Sequence, residues 1–460
     1  MQNNPTLRSG TNTFQSRSGA KKILFANFPA DGHFNPLTGL AKYLQAAGHD
    51  VRWYTSPTYK NKLAKLGIPF YPFQKAVDVS NNDFDKAFPD RLKHKTQISR
   101  LKFDMINAFI KRGPEYYADI QDIYQEFPFD LMVADVLFTG IPFVKELMRV
   151  PILSIGVMPL TETSKDLPPA GLGMTPSSSF FGKIKQNILR TVSERLIFGE
   201  PRKVMYELFE QYKIPHNNDG LFDVSIRKSD LLLQIGTPGF EYYRSDLGTN
   251  IRYIGALLPY SNAHHQRWTD NRLNRYERVV LVTQGTVEKD IEKILVPTLR
   301  AFRNSDVLVV ATTGGSGTEE LRQRFPDDNF IIEDFIPFND VMPYAHVYIT
   351  NGGYGGVMLG IENKLPMIVA GLHEGKNEIC ARVGYFKLGI NLKTEKPRPE
   401  DLRAAAEEIF TNNEYRINVA MMCSEFSSYD TYNLFGHYVD ELLYPGTAKI
   451  RTAIRQLSNN

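Results

Sequence analysis

Two cysteines in 460 residues, Cys380 and Cys423, are too few for a disulfide framework or a cysteine zinc site, and such usage suits a reducing cytoplasm. Net charge is scarce as well. The 54 basic and 51 acidic residues leave a formal +3, which gives no general attraction for nucleic acid. No run reaches the roughly 18 uncharged apolar residues that crossing a bilayer takes. The most apolar stretch, LMVADVLFTGIPFVKELM, carries charges and is broken by Gly140 and Pro142. The first twenty residues, MQNNPTLRSGTNTFQSRSGA, have no apolar signal core and read as a disordered tail. Low-complexity tracts and close repeats are missing too, so a soluble cytoplasmic protein with no integral membrane segment is expected, its oligomeric state left open. What remains is ordinary globular material, 42% hydrophobic and 23% charged, in a chain long enough for two cores.

Apolar runs then alternate with helical periodicity. KKILFANFP reads as a strand, and Leu37, Leu40, Ala41 and Leu44 follow at helical spacing. Asn35 and Pro36 resemble an N-cap and first helical residue, Gly48 stops the helix, and DVRWYTS supplies a second parallel strand. A basic, aromatic helical stretch runs from about 84 to 124, with FDLMVAD and VPILSIG as later strands and LPPAGLGMTPSSS as a long surface loop. Its segment RLKHKTQISRLKF reads as a solvated lid over a site in preference to a lipid-facing surface. Periodicity is lost near GALLPYSNAHHQRWTDNR, where His264 and His265 read as surface residues without metal-ligand spacing. A second series begins at RVVLVTQG and continues through a helix at 291–302, DVLVVATT, NFIIEDF, HVYIT, PMIVAG and the helix NEICARVGYF. The expected organisation is a tail over 1–20, one domain over 21–256, a linker over 257–275, a second domain over 276–425, and a terminal helix over 426–445 that returns to the first domain. Two doubly wound sheets would face each other across a central cleft.

Within that frame His33 follows the first strand, where such a sheet builds its site. By position alone it either packs and bonds in a tight turn or acts as a base, a neutral ring beside a helix start being able to take a proton. Asp135, at the end of DLMVAD, would orient it. In TNGGYGGVMLGIENKLPMIVAG, Gly352, Gly353, Gly355 and Gly356 join a strand to a helix. That is either a simple turn or a cradle of amides for a diphosphate. TQGT at 283–286 and TTGGSG at 312–317 end two neighbouring strands.

DGHFNPLTGLAKYLQAAGHDV, LPPAGLGMTP and YITNGGYGGVMLGIENKLPMIVAG, in that order, resemble the UDP-glycosyltransferase superfamily over about residues 21–440, above all its microbial branch that glycosylates macrolides, flavonoids and other small molecules. The resemblance implies the GT-B fold, with the first domain binding acceptor and the second binding nucleotide sugar. It implies inverting transfer of a hexose, expected to be glucose from UDP-glucose, to a hydroxyl of a small lipophilic or aromatic acceptor, with no metal and no cofactor beyond that co-substrate. His33 matches the catalytic base and Asp135 its supporting acid. Gly285 and Thr286 match the turn at the donor phosphates, Phe335 the ring stacked on the base, and Ile336 a backbone partner of that base.

The chain also departs from the pattern. In place of H-x-G-x-x-S-x-x-E stand Asn351, Gly353, Gly356 and Leu359, which removes the phosphate-binding histidine, the hydroxyl and the ribose-binding glutamate. Gly375 and Lys376, preceded by Glu374, replace the Asp-Gln pair that reads the sugar. Lys376 and Glu374 are then either sugar readers or solvated residues at a helix start. The competing readings are a nucleotide-sugar epimerase or lipid-acceptor transferase of the same fold, and a catalytically silent nucleotide-sugar-binding protein.

Overall fold

A computed structural model describes residues 19–80, 84–258, 267–285 and 288–445. Two wholly parallel sheets organise them. The first contains β1 (Lys22–Ala26), β2 (Asp50–Thr55), β3 (Phe70–Pro72), β4 (Leu131–Asp135), β5 (Ile152–Gly156), β6 (Leu231–Gln234) and β7 (Ile251–Tyr253) in the order 3-2-1-4-5-6-7. The second contains β8 (Arg278–Thr283), β9 (Val307–Thr312), β10 (Phe330–Glu333), β11 (Val347–Thr350), β12 (Met367–Val369) and β13 (Gly389–Asn391) in the order 10-9-8-11-12-13. Residues such as Leu24, Val133, Leu281 and Val310 are wholly buried, as parallel strands covered by helices on both faces require. In each sheet the chain winds outward from its first strand, then returns to that strand's other side. The reversal points therefore lie between β1 and β4 and between β8 and β11, where crevices open at the strands' carboxyl ends.

These carboxyl ends face each other. Met158, just past β5, has its methyl 3.7 Å from where a Cβ on Gly375, beyond β12, would stand. The Tyr354 hydroxyl, beyond β11, donates to the Ile235 carbonyl beyond β6 at 2.8 Å. Deeper in the same seam, the Arg382 guanidinium meets the Glu241 carboxylate at 2.7 Å, both side chains being only 2% exposed. One apolar cluster runs through the seam, from Phe25 and Leu233 to Tyr354, Val357 and Phe426. The C-terminal helix Thr431–Leu443 packs on the first half: Tyr432 stacks against Tyr43, and the Thr431 hydroxyl donates to the Ile254 and Ala256 carbonyls at 2.7 and 2.9 Å.

Three local readings need correction. The first helix begins at Asp31, with Ala30 extended as its N-cap, so Pro36 lies inside it and not at its first position. The proline forgoes a single bond, to the Gly32 carbonyl, near an end where the ladder is weak anyway. The helix expected over 291–302 starts only at Leu295. Its first residues form turns instead, since the Asp290 carboxylate takes the Glu292 amide and Glu288 pairs with Lys293. The stretch 84–124 is not one helix but a chain of short ones: Phe84–Ala87, a 3-10 turn at Pro89–Lys93, Gln97–Asp104, a π-type turn at Met105–Ile110 and Arg112–Glu126. His264 and His265 lie outside the described residues.

Candidate active site

The turn after β1 is pinned before it reaches His33. Buried Asn27 accepts the Trp53 indole N–H at 2.7 Å and donates to the Phe28 carbonyl at 2.6 Å, while the Phe28 amide donates to Asp135 Oδ2 at 2.5 Å. The chain then enters the helix, whose first turn places the His33 ring above the end of β4. His33 Nδ1 stands 2.8 Å from Asp135 Oδ1, which also accepts the Leu137 amide at 2.9 Å. Asp135 is wholly buried, whereas the His33 side chain is 17% exposed. A carboxylate can only accept, so Nδ1 carries the proton of this bond and a neutral ring presents the lone pair of Nε2. Phe28 stands edge-on to the imidazole at 5.7 Å and stacks on Phe109, fencing the ring with apolar surface. An oriented histidine backed by a buried carboxylate can accept a hydroxyl proton as the oxygen attacks.

The opposite crevice is built from backbone. The Asn351 amide nitrogen donates to the Gln284 carbonyl, and its oxygen accepts the Gly353 amide at 3.2 Å. Asn351 thus ties the end of β11 to that of β8. Gly285 and Gly352 both have left-handed backbones, at φ 83° and 76°. A Cβ on Gly285 would approach Asn351 to 3.2 Å, and one on Gly352 would stand 2.3 Å from Cys380 Sγ, so these turns are closed to larger residues. Gly353 caps the helix Tyr354–Glu362, and Gly355 and Gly356 fall in its first turn, where amides have no intrahelical acceptor. Such amides attract anions. Beneath them burial pushes the Cys380 thiol up to about 12, so it packs as a neutral group.

Lys376 opens the next helix, Lys376–Tyr385, and its Nζ lies 2.6 Å from the Glu374 carboxylate. The turn before it touches the glycine loop: a Cβ on Gly371 would lie 3.0 Å from Lys376 Cβ and 2.1 Å from the Asn351 carbonyl oxygen. Gly285, Asn351, Gly352, Gly353 and Lys376 therefore share one edge. Phe335 stands apart, 72% exposed, with its ring 3.7 Å from where a Cβ on Gly315 would be; Ile336 beside it is buried. Thr286 lies outside the described residues.

Sequence reasoning missed the residues that join the halves. The Glu378 carboxylate accepts the amides of Gly171 and Gly173, both at 2.8 Å, and Asn377 donates to the Gly171 carbonyl at 2.7 Å. These bonds tie the loop LPPAGLGM of the first half to a helix of the second. Asn377 and Glu378 do stand beside Lys376 in the sequence, but their partner Gly171 lies 206 and 207 positions away, beyond the reach of local pattern.

Comparison with known proteins places the chain in a family. A family model described as UDP-glucoronosyl and UDP-glucosyl transferase matches residues 247–428. The chain is 31% identical over 412 residues to 4'-demethylrebeccamycin synthase of Lentzea aerocolonigenes, covering 89% of this chain and 96% of that protein. The chain belongs to the UDP-glycosyltransferase family. This glycosyltransferase is also 30% identical over 433 residues to UDP-glucosyltransferase 1 of Beauveria bassiana strain ARSEF 2860, spanning 88% of this chain and 91% of that one. Among solved structures it resembles the kitacinnamycin glycotransferase (TM-score 0.72, 16% identity, 93% of this chain and all of that one). It also resembles the calicheamicin glycosyltransferase CalG4 (TM-score 0.71, 18% identity, 93% and 99%). The shared architecture is GT-B, as the sequence motifs imply. The UDP-glucosyltransferase family takes a UDP-sugar as co-substrate. Among the described residues, no helix is long and apolar enough to cross a membrane.

Proposed function

We propose that this UDP-glycosyltransferase is a cytoplasmic, inverting, metal-independent enzyme that moves glucose from UDP-glucose to a hydroxyl of a small lipophilic or aromatic acceptor. The observation that carries the reading is the His33–Asp135 pair at 2.8 Å, at the mouth of the first sheet and facing the second. The acceptor oxygen attacks the anomeric carbon from the face opposite the diphosphate, a C–O bond forms as the bond to the leaving phosphate breaks, and configuration inverts. The hydroxyl proton passes to His33 Nε2, and Asp135 stabilises the imidazolium. Amides of the turn at Gly285 and of the 351–356 loop take up charge developing on the diphosphate. Phe335 offers its face to the base, the Ile336 backbone bonds to it, and Lys376 with Glu374 reads the sugar hydroxyls. A relative named 4'-demethylrebeccamycin synthase supports the small-molecule acceptor, and one named UDP-glucosyltransferase 1 supports the glucose donor.

The test incubates the protein with a panel of UDP- and dTDP-sugars and mixed phenolic acceptors, in chelator, and reads products by mass and anomeric configuration. An acceptor heavier by one hexosyl unit with inverted configuration is expected. A changed sugar nucleotide would mean epimerisation, transfer to polyprenyl phosphate alone would mean a lipid-linked acceptor, and binding without turnover would mean a silent module.

A further inference from the structure

The helix Phe180–Val192, continued by a π-type turn at Ser193–Ile197, is turned inside out. Its polar Gln186 and Ser193 are buried against the protein, while Phe180, Phe181, Ile184, Ile188, Val192 and Leu196 face solvent. Spacings of three and four residues put these apolar chains on one outward stripe, and Phe180 and Phe181 are 73% and 81% exposed. The inward side is held by real bonds: Arg190 donates to the Ser164 and Leu167 carbonyls, at 2.5 and 2.8 Å, and Ser179 caps the Gly182 amide at 3.1 Å. The orientation is thus fixed by the inward face, and among the described residues the outward one has no partner. Lys183, Lys185 and Arg195 are exposed on the same helix and turn. The stripe does not stand alone. Leu92, Ile98 and Leu101 are also exposed, with Lys95 and Arg100 among them, and an ion pair of Lys102 with Glu200 at 3.7 Å joins that segment to the chain just beyond the π-type turn.

We propose that this face docks on an anionic lipid surface. Six apolar chains on one side of a helix, flanked by cations and begun by two phenylalanines, suit a helix lying in the plane of a headgroup layer, with its stripe at the acyl boundary. The charges favour this occupant over a second copy of the chain. Two-fold pairing of the stripe would bring Lys183, Lys185 and Arg195 of both copies together, whereas lipid phosphates neutralise them. Adsorption rather than insertion follows, since the helix is shorter than a bilayer is thick and its inner face is spent on the protein. The proposal is independent of the reaction assigned above.

Co-sedimentation of the full chain with vesicles of phosphatidylcholine containing phosphatidylglycerol, against phosphatidylcholine alone, tests it. Partition on the order of tenfold stronger onto the anionic vesicles is expected, falling as salt screens the cations. The triple variant Phe181→Ser, Ile188→Ser, Leu196→Ser should lose about tenfold or more of that partition. Lys183→Glu, Lys185→Glu, Arg195→Glu should abolish the anionic preference while leaving the melting temperature unchanged, because all three side chains are in solvent. Absence of binding to either vesicle, or equal binding by parent and apolar triple variant, overturns the proposal. So does a parent dimer in light scattering that the apolar triple variant dissolves, which would make a second copy the occupant.

Discussion

The crevice between β1 and β4 and the crevice between β8 and β11 are the same topological position in two sheets, yet they are furnished with different materials. The first holds a titratable side chain on a buried carboxylate, fixed by the amides of Phe28 and Leu137. The second offers glycine turns, a helix start and an asparagine whose amide is spent on the Gln284 carbonyl. Moving a proton requires a group whose lone pair points one way, and only a side chain held from behind supplies that. Holding a diphosphate requires many weak donors at short range, which backbone supplies once side chains are removed. On the proposed reading, the second crevice can dispense with the family's histidine, hydroxyl and glutamate, whereas the first keeps its pair.

If that division is right, substitutions should separate by half. His33→Ala should lower the transfer rate by about 100-fold to 10,000-fold with the donor's Kd nearly unchanged, read by single-turnover kinetics and calorimetry. Asp135→Asn should slow transfer as well, because an amide facing Nδ1 favours the wrong tautomer. Donor binding lost together with rate would erase the distinction between the crevices. The converse variant, Gly352→Ala, strains a backbone at φ 76° and drives a Cβ toward Cys380 Sγ. It should weaken donor binding about tenfold or more while leaving the His33 geometry and acceptor affinity intact.

The contrast also explains what was legible beforehand. Strand ends could be read from runs such as KILFA and LMVAD, and His33 and Asp135 stood out because one comes a short turn after the first run and the other ends the second. Glycine clusters marked the second crevice for the same reason. Other features were hidden because periodicity carries no direction. The stripe from Phe180 to Leu196 has the spacing of a core helix, and only packing shows that it faces outward. The bond between Arg382 and Glu241 was equally hidden, since the two residues lie 141 positions apart and charged residues are read as exposed by default. Pro36 misplaced a helix start because proline favours first positions, while Ala30 offers no capping side chain to announce the true one.

A smaller effect is expected at the rim of the second crevice. Lys376→Ala should raise the donor's KM several-fold and leave the acceptor's nearly unchanged, since one charge-assisted contact is lost from a cradle made mainly of amides. Glu374→Gln should do less, because an amide oxygen can still accept from a sugar hydroxyl while the 2.6 Å contact with Lys376 loses only its charge. Donor kinetics indifferent to both would mean that the sugar is read elsewhere.

The smallest effect lies at the opposite ends of the sheets, where the two halves do resemble each other. His49, before β2, accepts the Lys21 amide on Nδ1 at 3.3 Å, and His346, before β11, accepts the Val279 amide on Nδ1 at 3.2 Å. Accepting requires an unprotonated Nδ1, and burial lowers both residues below the ordinary histidine value of 6.5. Below about pH 6.5 the unfolded chain therefore binds more protons than the native one, so stability declines with acid, while above that value both bonds are intact and neither residue adds pH dependence. Asp440 and Asp130 oppose the shift at His49, whereas Arg416 adds to it at His346. Asparagine can accept the same amide without titrating. His346→Asn should accordingly flatten the fall in melting temperature between about pH 7 and pH 5.5 by roughly 1–3 °C, and His49→Asn by less. Transfer at neutral pH should be unchanged in both. Equal flattening by the two variants would show that the flanking charges do not distinguish these sites, and a steeper fall in either would reverse the sign argued here.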